Sequence, residues 1–171
     1  MILEPRIFVD ERGFFMETWN QKIFSRIGIP GTFVQDNHSK SAQGTLRGLH
    51  YQIQQPQGKL VRVTNGAVYD VAVDIRRSSP TFGRWVARTL TAENKLMMWV
   101  PPGFAHGFYV LSTEAEFTYK CTDFYAPKYE RTIRWSDEDI GIDWPIPNGS
   151  APLLSPKDAG GVAIGAAEVF D

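Results

Sequence analysis

Two histidines in this sequence sit in settings that suit proton transfer. His50 lies in the run Gly44-Thr45-Leu46-Arg47-Gly48-Leu49-His50-Tyr51-Gln52, flanked by apolar residues and three positions after Arg47. His106 follows the rigid turn Pro101-Pro102-Gly103 into a second apolar run. An imidazole of ordinary pKa near ~6.5 is the side chain best placed to accept a proton at neutral pH, and a fixed cation beside it suits an anionic substrate. Proton abstraction is one reading of the first run. A half-buried strand histidine hydrogen-bonded to a neighbour is the other, and the run alone favours it. Lys59 is open in the same way, between a surface lysine and a cation brought near the His50 strand. Tyr119, taken alone, is a core residue.

The elements that must carry these residues are strands. Short runs of β-branched and aromatic residues recur at intervals of about ten, separated by Gly, Pro, Asn, Asp or Ser, which is the rhythm of a sandwich or barrel. Strands are expected over 13–19, 33–37, 45–52, 59–63, 67–75, 85–90, 97–100, 115–122 and 132–135. Asn20 to Ile27 reads as a short helix capped by Asn20. The 45–52 and 59–63 strands read as a hairpin through Gln55-Pro56-Gln57-Gly58, and Asn65-Gly66 is the strongest hairpin signal in the chain. In the strand after it, Asp70 and Asp74 share one face, and an acid in so apolar a strand requires a partner. Gln35 and Asn37 share a strand face too, either as surface amides or as readers of a nucleobase edge.

Length and composition point to one domain over 1–171 with a substantial core. With 18 basic against 19 acidic side chains and a net charge of −1, there is no global basic field for nucleic acid and no polybasic membrane patch. Any anionic ligand must be met by local arginines and lysines. The single Cys121 excludes an intrachain disulfide, and no signal peptide or long apolar run is present. The chain reads as a soluble cytoplasmic protein. Aromatic residues at 13% suit a β-rich core, a base-stacking pocket, or both.

Two segments have the shape of paired cupin motifs, Gly44 with His50 and Pro101-x-Gly103-x-x-His106. Metal-binding cupins place a second histidine two positions after the first and a glutamate soon after; here Gln52 stands in that place and no acid follows closely. A metal needs three or four converging donors, so no metal is expected. The closer likeness is carried by seven collinear strings: Asp-Glu-Arg-Gly-Phe-Phe (10–15), Gln-Asp-Asn-His-Ser (35–39), Leu-Arg-Gly-Leu-His-Tyr-Gln (46–52), Gln-Gly-Lys-Leu-Val-Arg-Val (57–63), Pro-Pro-Gly-Phe-Ala-His-Gly-Phe (101–108), Tyr-Lys-Cys-Thr-Asp-Phe-Tyr (119–125) and Gly-Ile-Asp-Trp-Pro (141–145). In order and spacing they resemble the dTDP-4-dehydrorhamnose 3,5-epimerase family over essentially the whole chain. That resemblance outweighs the structural reading of His50.

The resemblance implies an all-β, cupin-like jelly-roll sandwich or barrel with a few short helices. It also implies a cofactor-independent epimerase that inverts carbons 3 and 5 of dTDP-4-keto-6-deoxyglucose through an enolate. By match to the family, His50 is the base and Asp158 the carboxylate that orients it. Lys59 holds the enolate oxygen, His106 is a second pocket histidine with Asp70 as partner, and Tyr119 returns the proton from the opposite face. Arg12 and Arg47 match contacts to the dTDP moiety, Glu17, Gln35 and Asn37 match thymidine contacts, Tyr125 matches an aromatic that stacks on thymine, and Glu130 is a further match. Strict alternation would put Arg47 and His50 on opposite faces of one strand, so a bulge at Gly48 is expected. The family is homodimeric, and the same is expected here, with the N-terminal segment reaching the partner's site. The family usually has about a strand's worth of residues before the Glu-Pro-Arg segment, which leaves the N-terminal edge strand open. Three alternatives stand beside the leading reading: a single-position epimerase on a related dTDP-4-keto sugar, a sugar-nucleotide binding protein without catalysis, and a metal-dependent cupin.

Overall fold

Alternation with a period of two gives the chain twelve strands, numbered in chain order, and two short helices in a computed structural model that describes residues 1–171. One five-stranded antiparallel sheet has the order β1 (Ile2–Leu3), β9 (Met97–Val100), β6 (Lys59–Asn65), β11 (Glu114–Cys121), β4 (Gln35–Ala42). A second has the order β12 (Glu130–Thr132), β5 (Leu46–Gln52), β10 (Phe104–Val110), β7 (Ala67–Asp74), β8 (Trp85–Thr91). Strands β2 (Ile7–Asp10) and β3 (Gly13–Met16) form a separate hairpin paired with neither sheet. The two sheets make the sandwich expected from the strand rhythm.

Apolar residues alternate so that the second sheet buries both faces and the first buries its inner face and part of its outer one. Val61, Val63, Met98 and Phe117 of the first sheet pack against Val68, Ala72, Leu90 and Phe108 of the second, and the Phe108 and Phe117 rings stack at 4.4 Å. The opposite residues of the second sheet, Leu49, Tyr51, Val71 and Val73, are covered by Ile133, Ile140, Trp144 and Ile164 from the C-terminal third. The outer face of the first sheet, at Leu60, Met97 and Trp99, is covered by Phe24 and Ile29. Phe24 belongs to α1 (Gln21–Arg26), whose N-cap Asn20 accepts a hydrogen bond from the Ile23 amide as its sequence position predicts.

Two sequence expectations fail on topology. The 45–52 and 59–63 strands are not a hairpin: β5 lies in the second sheet and β6 in the first. Nor does Asn65-Gly66 close a hairpin, since it carries the chain from β6 to β7, again across the sandwich. Gly66 still needs its left-handed φ of 75°, and a Cβ there would lie 2.1 Å from the Glu114 carbonyl oxygen. A tight turn can end an arch between sheets as well as a ladder, and which one forms is decided by where the apolar faces find partners.

Smaller differences concern limits. The strand expected at 33–37 runs over Gln35–Ala42, and the one expected at 132–135 is β12, continued by a bridge between Ile133 and Val162. An N-terminal edge strand is present, two residues long, with Ile2 opposite Met98. The second helix, α2 (Pro156–Ala159), was not legible as periodicity because it is a single turn. Asp74 finds its partners locally, accepting from the Arg76 guanidinium and from the Ser79 and Thr81 hydroxyls.

Candidate active site

His50 and Arg47 face the same cleft because β5 is irregular at Gly48. His106 of β10 is opposite His50, yet Phe108, two residues on, is opposite Arg47, three residues back; one residue of β5 is therefore extra. Leu46, Leu49 and Tyr51 point to the outer core, and Arg47 and His50 line the space between the sheets. Gly48 has φ 132°, and a Cβ on it would lie 2.5 Å from Gly107 Cα. Only glycine fits that approach. The bulge expected from the sequence is present.

The cleft holds about 300 Å³. From the first sheet it receives Gln35, Asn37, Lys59 and Tyr119, and from the second Arg47, His50, His106 and Glu130. Its walls thus belong to different sheets. A depression of similar size, about 310 Å³, lies by Arg62, Lys120 and His38 but contains neither His50 nor His106.

Behind His50 stands Asp158, brought in by α2. The His50 Nε2 and Asp158 Oδ1 atoms are 2.7 Å apart, but the carboxylate oxygen is off the N–H direction, so the contact is a close polar one that becomes an ion pair only when the ring is protonated. Burial lowers the pKa of His50 below that of a free imidazole, and Lys157 and Lys59 act in the same sense; Asp158 opposes them incompletely. The ring is uncharged at neutral pH. Burial by itself would raise Asp158, but the His50 ring, the Ser155 hydroxyl and the Gly48 amide outweigh it and hold the carboxyl below the usual carboxylate range.

His106 is paired through Nε2 with both oxygens of Asp70, at 3.0 and 3.1 Å, and its ring stacks on Phe117. Burial raises the pKa of Asp70 against the opposing pull of His106 and Lys59. Lys59 is half-buried, desolvation lowers its pKa, and no hydrogen bond or salt bridge within the chain satisfies its ammonium. Tyr119 is pushed up to about 12 by burial, so its phenol keeps its proton over the whole physiological range. These two donors face the imidazole across the cleft with their hydrogen-bonding capacity unused.

At the mouth, polar groups are tied to one another. Gln35 donates to the Asn37 side chain (3.0 Å) and accepts from the Tyr125 amide (2.8 Å). The Tyr125 hydroxyl and the Lys157 ammonium both donate to Glu130, each at 2.9 Å. Arg47 Nε donates to Ser41 Oγ at 3.0 Å, leaving the terminal nitrogens for a ligand. Tyr125 is half exposed, with a free ring face.

The structure therefore gathers His50, Lys59, His106, Tyr119, Arg47, Gln35, Asn37, Tyr125 and Glu130 around one cleft, with Asp158 and Asp70 behind the histidines. It does not bring Arg12 or Glu17 there. Arg12 is at the tip of the β2–β3 hairpin, exposed and paired with Asp10, and Glu17 accepts from the Asn20 amide. Lys157 is the charged lining residue that sequence reasoning passed over, along with the polar Ser39, Gln52 and Gln57; its place beside Asp158 in Leu-Ser-Pro-Lys-Asp was the available signal. No group of three His, Cys, Asp or Glu residues is arranged to hold a metal ion.

A family profile described as dTDP-4-dehydrorhamnose 3,5-epimerase matches residues 1–165. The chain is 61% identical over 171 residues to the dTDP-4-dehydrorhamnose 3,5-epimerase of Pseudomonas aeruginosa, covering 99% of this chain and 93% of that protein. It is 59% identical over 172 residues to the Shigella flexneri enzyme of the same name, again covering 99% and 93%. Among solved structures, a dTDP-6-deoxy-D-glucose-3,5-epimerase from Legionella pneumophila in complex with dTDP-4-keto-L-rhamnose superposes with a TM-score of 0.94 at 55% identity, covering 98% of this chain and 88% of that one.

Proposed function

This chain belongs to the dTDP-4-dehydrorhamnose 3,5-epimerase family, and from that premise we propose how its cleft carries out the reaction. The protein is an isomerase that converts dTDP-4-keto-6-deoxy-D-glucose into dTDP-4-keto-L-rhamnose. The ketone at carbon 4 acidifies the hydrogens on carbons 3 and 5, so one base serves both positions in turn.

His50, uncharged at neutral pH, takes the proton from carbon 3. The electron pair of that C–H bond becomes the enolate double bond, the negative charge moves to the carbon 4 oxygen, and the Lys59 ammonium holds it where little water competes. Asp158 stabilises the imidazolium that forms. Tyr119 gives its phenolic proton to the opposite face of the carbon, the ketone is restored, and both side chains exchange their protons with solvent before the cycle repeats at carbon 5. His106, fixed by Asp70, sits beside the developing charge as a further polar wall. The observation that carries this reading is the convergence of an uncharged imidazole with an unpartnered lysine and an unpartnered phenol on one cleft.

For the nucleotide half, Arg47 is placed for the phosphates, where a guanidinium fork suits oxygen pairs. Gln35, Asn37, Glu130 and the Tyr125 ring form the thymidine side. Arg12 and Glu17 act in the cleft of a second copy: Phe8, Val9, Phe14 and Phe15 leave the β2–β3 hairpin with exposed aromatic and apolar faces that a single chain does not cover. The assembly is a homodimer in which each hairpin completes its partner's site. On this reading the protein works in the cytoplasm without a cofactor and without nucleic acid or membrane.

Incubation with dTDP-4-keto-6-deoxyglucose in heavy water, followed by NMR at carbons 3 and 5, tests the reading. Deuterium is expected at both carbons. Deuterium at one carbon only would indicate a single-position epimerase, and bound substrate without exchange would indicate a binding protein.

A further inference from the structure

Asp158 has two structural duties, and they meet in one neighbour. It is the third helical residue of α2, and it completes a capping box with Ser155: the Asp158 amide donates to Ser155 Oγ (3.2 Å), while Asp158 Oδ2 accepts from the Ser155 hydroxyl (2.5 Å) and the Ser155 amide (3.3 Å). Its other oxygen, Oδ1, accepts from the amide of the bulged Gly48 at 2.9 Å and lies 2.7 Å from His50 Nε2. Capping boxes ordinarily sit at exposed helix starts; in this one Ser155 is exposed but the carboxylate it engages is buried, with Asp158 only 3% exposed. A helix of a single turn has no stability of its own, so its place depends on such anchors.

We propose that Ser155 is a positioning residue for the His50–Asp158 pair, its hydroxyl engaging one carboxylate oxygen so that the other stays directed at the imidazole. The inference rests on the assignment of His50 as the base. Without the hydroxyl, Oδ2 has only the long Ser155 amide contact, and the carboxylate turns away from the ring. The charged and titratable groups facing His50 are Asp158 and Lys157 from α2, Lys59 from β6, Glu130 from β12, Tyr119 from β11, His106 from β10, Tyr125 at the cleft mouth and Arg47 on its own strand. Among them only Asp158 touches the ring. When it withdraws, burial and the two lysines are opposed only by the more distant Glu130, and the base becomes weaker.

The test uses Ser155→Gly, because glycine at an N-cap costs the helix only a few tenths of a kcal/mol, with Ser155→Ala and Ser155→Thr beside it. In Ser155→Gly and Ser155→Ala, kcat is expected to fall about 10- to 100-fold, the scale of a small misplacement of a catalytic group. KM should stay near that of the parent, and the acidic limb of kcat/KM should move to lower pH. Ser155→Thr, which keeps a γ-hydroxyl, restores both. Unchanged kcat and an unchanged limb would overturn the proposal, as would a fall in kcat with the limb in place, which marks a merely structural role. A limb moved to higher pH would overturn it too, showing that the hydroxyl withdraws charge and does not hold position. His50→Ala is run in the same heavy-water assay. If that variant still exchanges at carbon 3 or 5, the base assignment fails, whatever Ser155 does.

Discussion

Gly107 and Gly48 meet across the β10–β5 pair so closely that a Cβ on Gly107 would lie 3.1 Å from Gly48 Cα and 2.7 Å from the Arg47 carbonyl oxygen. The contact allows β5 to bulge without leaving β10, and the bulge is what turns Arg47 and His50 to the same side. Gly107 has no unusual φ, so Gly107→Ala probes the contact and little else. It should lower kcat by about 100-fold through displacement of His50 and cost about 1–3 kcal/mol from overpacking. A folded variant with activity within about twofold of the parent, judged with circular dichroism and steady-state rates, would show that the close approach does not set the base.

Asp158→Asn keeps the shape of the side chain but removes its charge. The imidazolium formed on proton abstraction then has no anion behind it, and kcat is expected to fall by about 100- to 10,000-fold, the range of general acid–base catalysis. Binding of dTDP, measured by calorimetry, should be nearly unchanged, because Asp158 faces the base and not the cleft mouth. A loss of dTDP affinity that matched the loss of rate would place Asp158 with the nucleotide instead.

The pH profile of kcat/KM separates three groups. In the proposed mechanism His50 works unprotonated, and since burial lowers its pKa, activity should hold below the ordinary imidazole value and be lost only as pH falls through the lowered one. Lys59 is proposed to work protonated, and burial lowers its pKa as well, so the alkaline limb should appear below the ordinary lysine range. Tyr119, at about 12, lies beyond both. Lys59→Arg should therefore move the alkaline limb outward at reduced rate, and Tyr119→Phe should leave that limb where it is. A limb that disappeared in Tyr119→Phe would reassign it to the phenol.

Mixed dimers test the hairpin. Arg12→Ala and His50→Ala should each be poorly active alone, but after co-refolding the heterodimer has one site with both residues intact, so activity should reappear. No recovery, with mixed dimers demonstrated by mass spectrometry, would place Arg12 in its own chain's site.

Much of this fold and cleft is legible in the residues. The period of two located most strands, and Asn20 announced the start of α1. The tension between Arg47 and His50 on one strand called for a bulge, with Gly48 the residue able to make it. The resemblance to the epimerase family marked Asp158, which by local pattern is a polar acid near the chain end. What could not be read was the path between sheets. Gln55 to Gly58 and Asn65-Gly66 have the composition of hairpin turns, yet the burial of Val61, Val63 and Phe117 against the second sheet directs the chain across the sandwich. The position of Lys157 depends on a single helical turn that has no period to read.

Because both connections cross the sandwich, no backbone ladder joins the strand of His50 to the strand of Lys59. The span between the His50 ring and the Lys59 ammonium, proton acceptor and oxyanion holder in the proposed mechanism, is set by the filling between the layers, with Phe108 stacked on Phe117 and Phe117 on His106. These rings act as a gauge block. A smaller residue at Phe117, itself part of the cleft lining, should narrow the jaw and a bulkier one widen it, altering which sugar carbon comes within reach while the polar side chains of the cleft stay the same. Stereochemical choice can thus drift through changes in buried hydrocarbon alone.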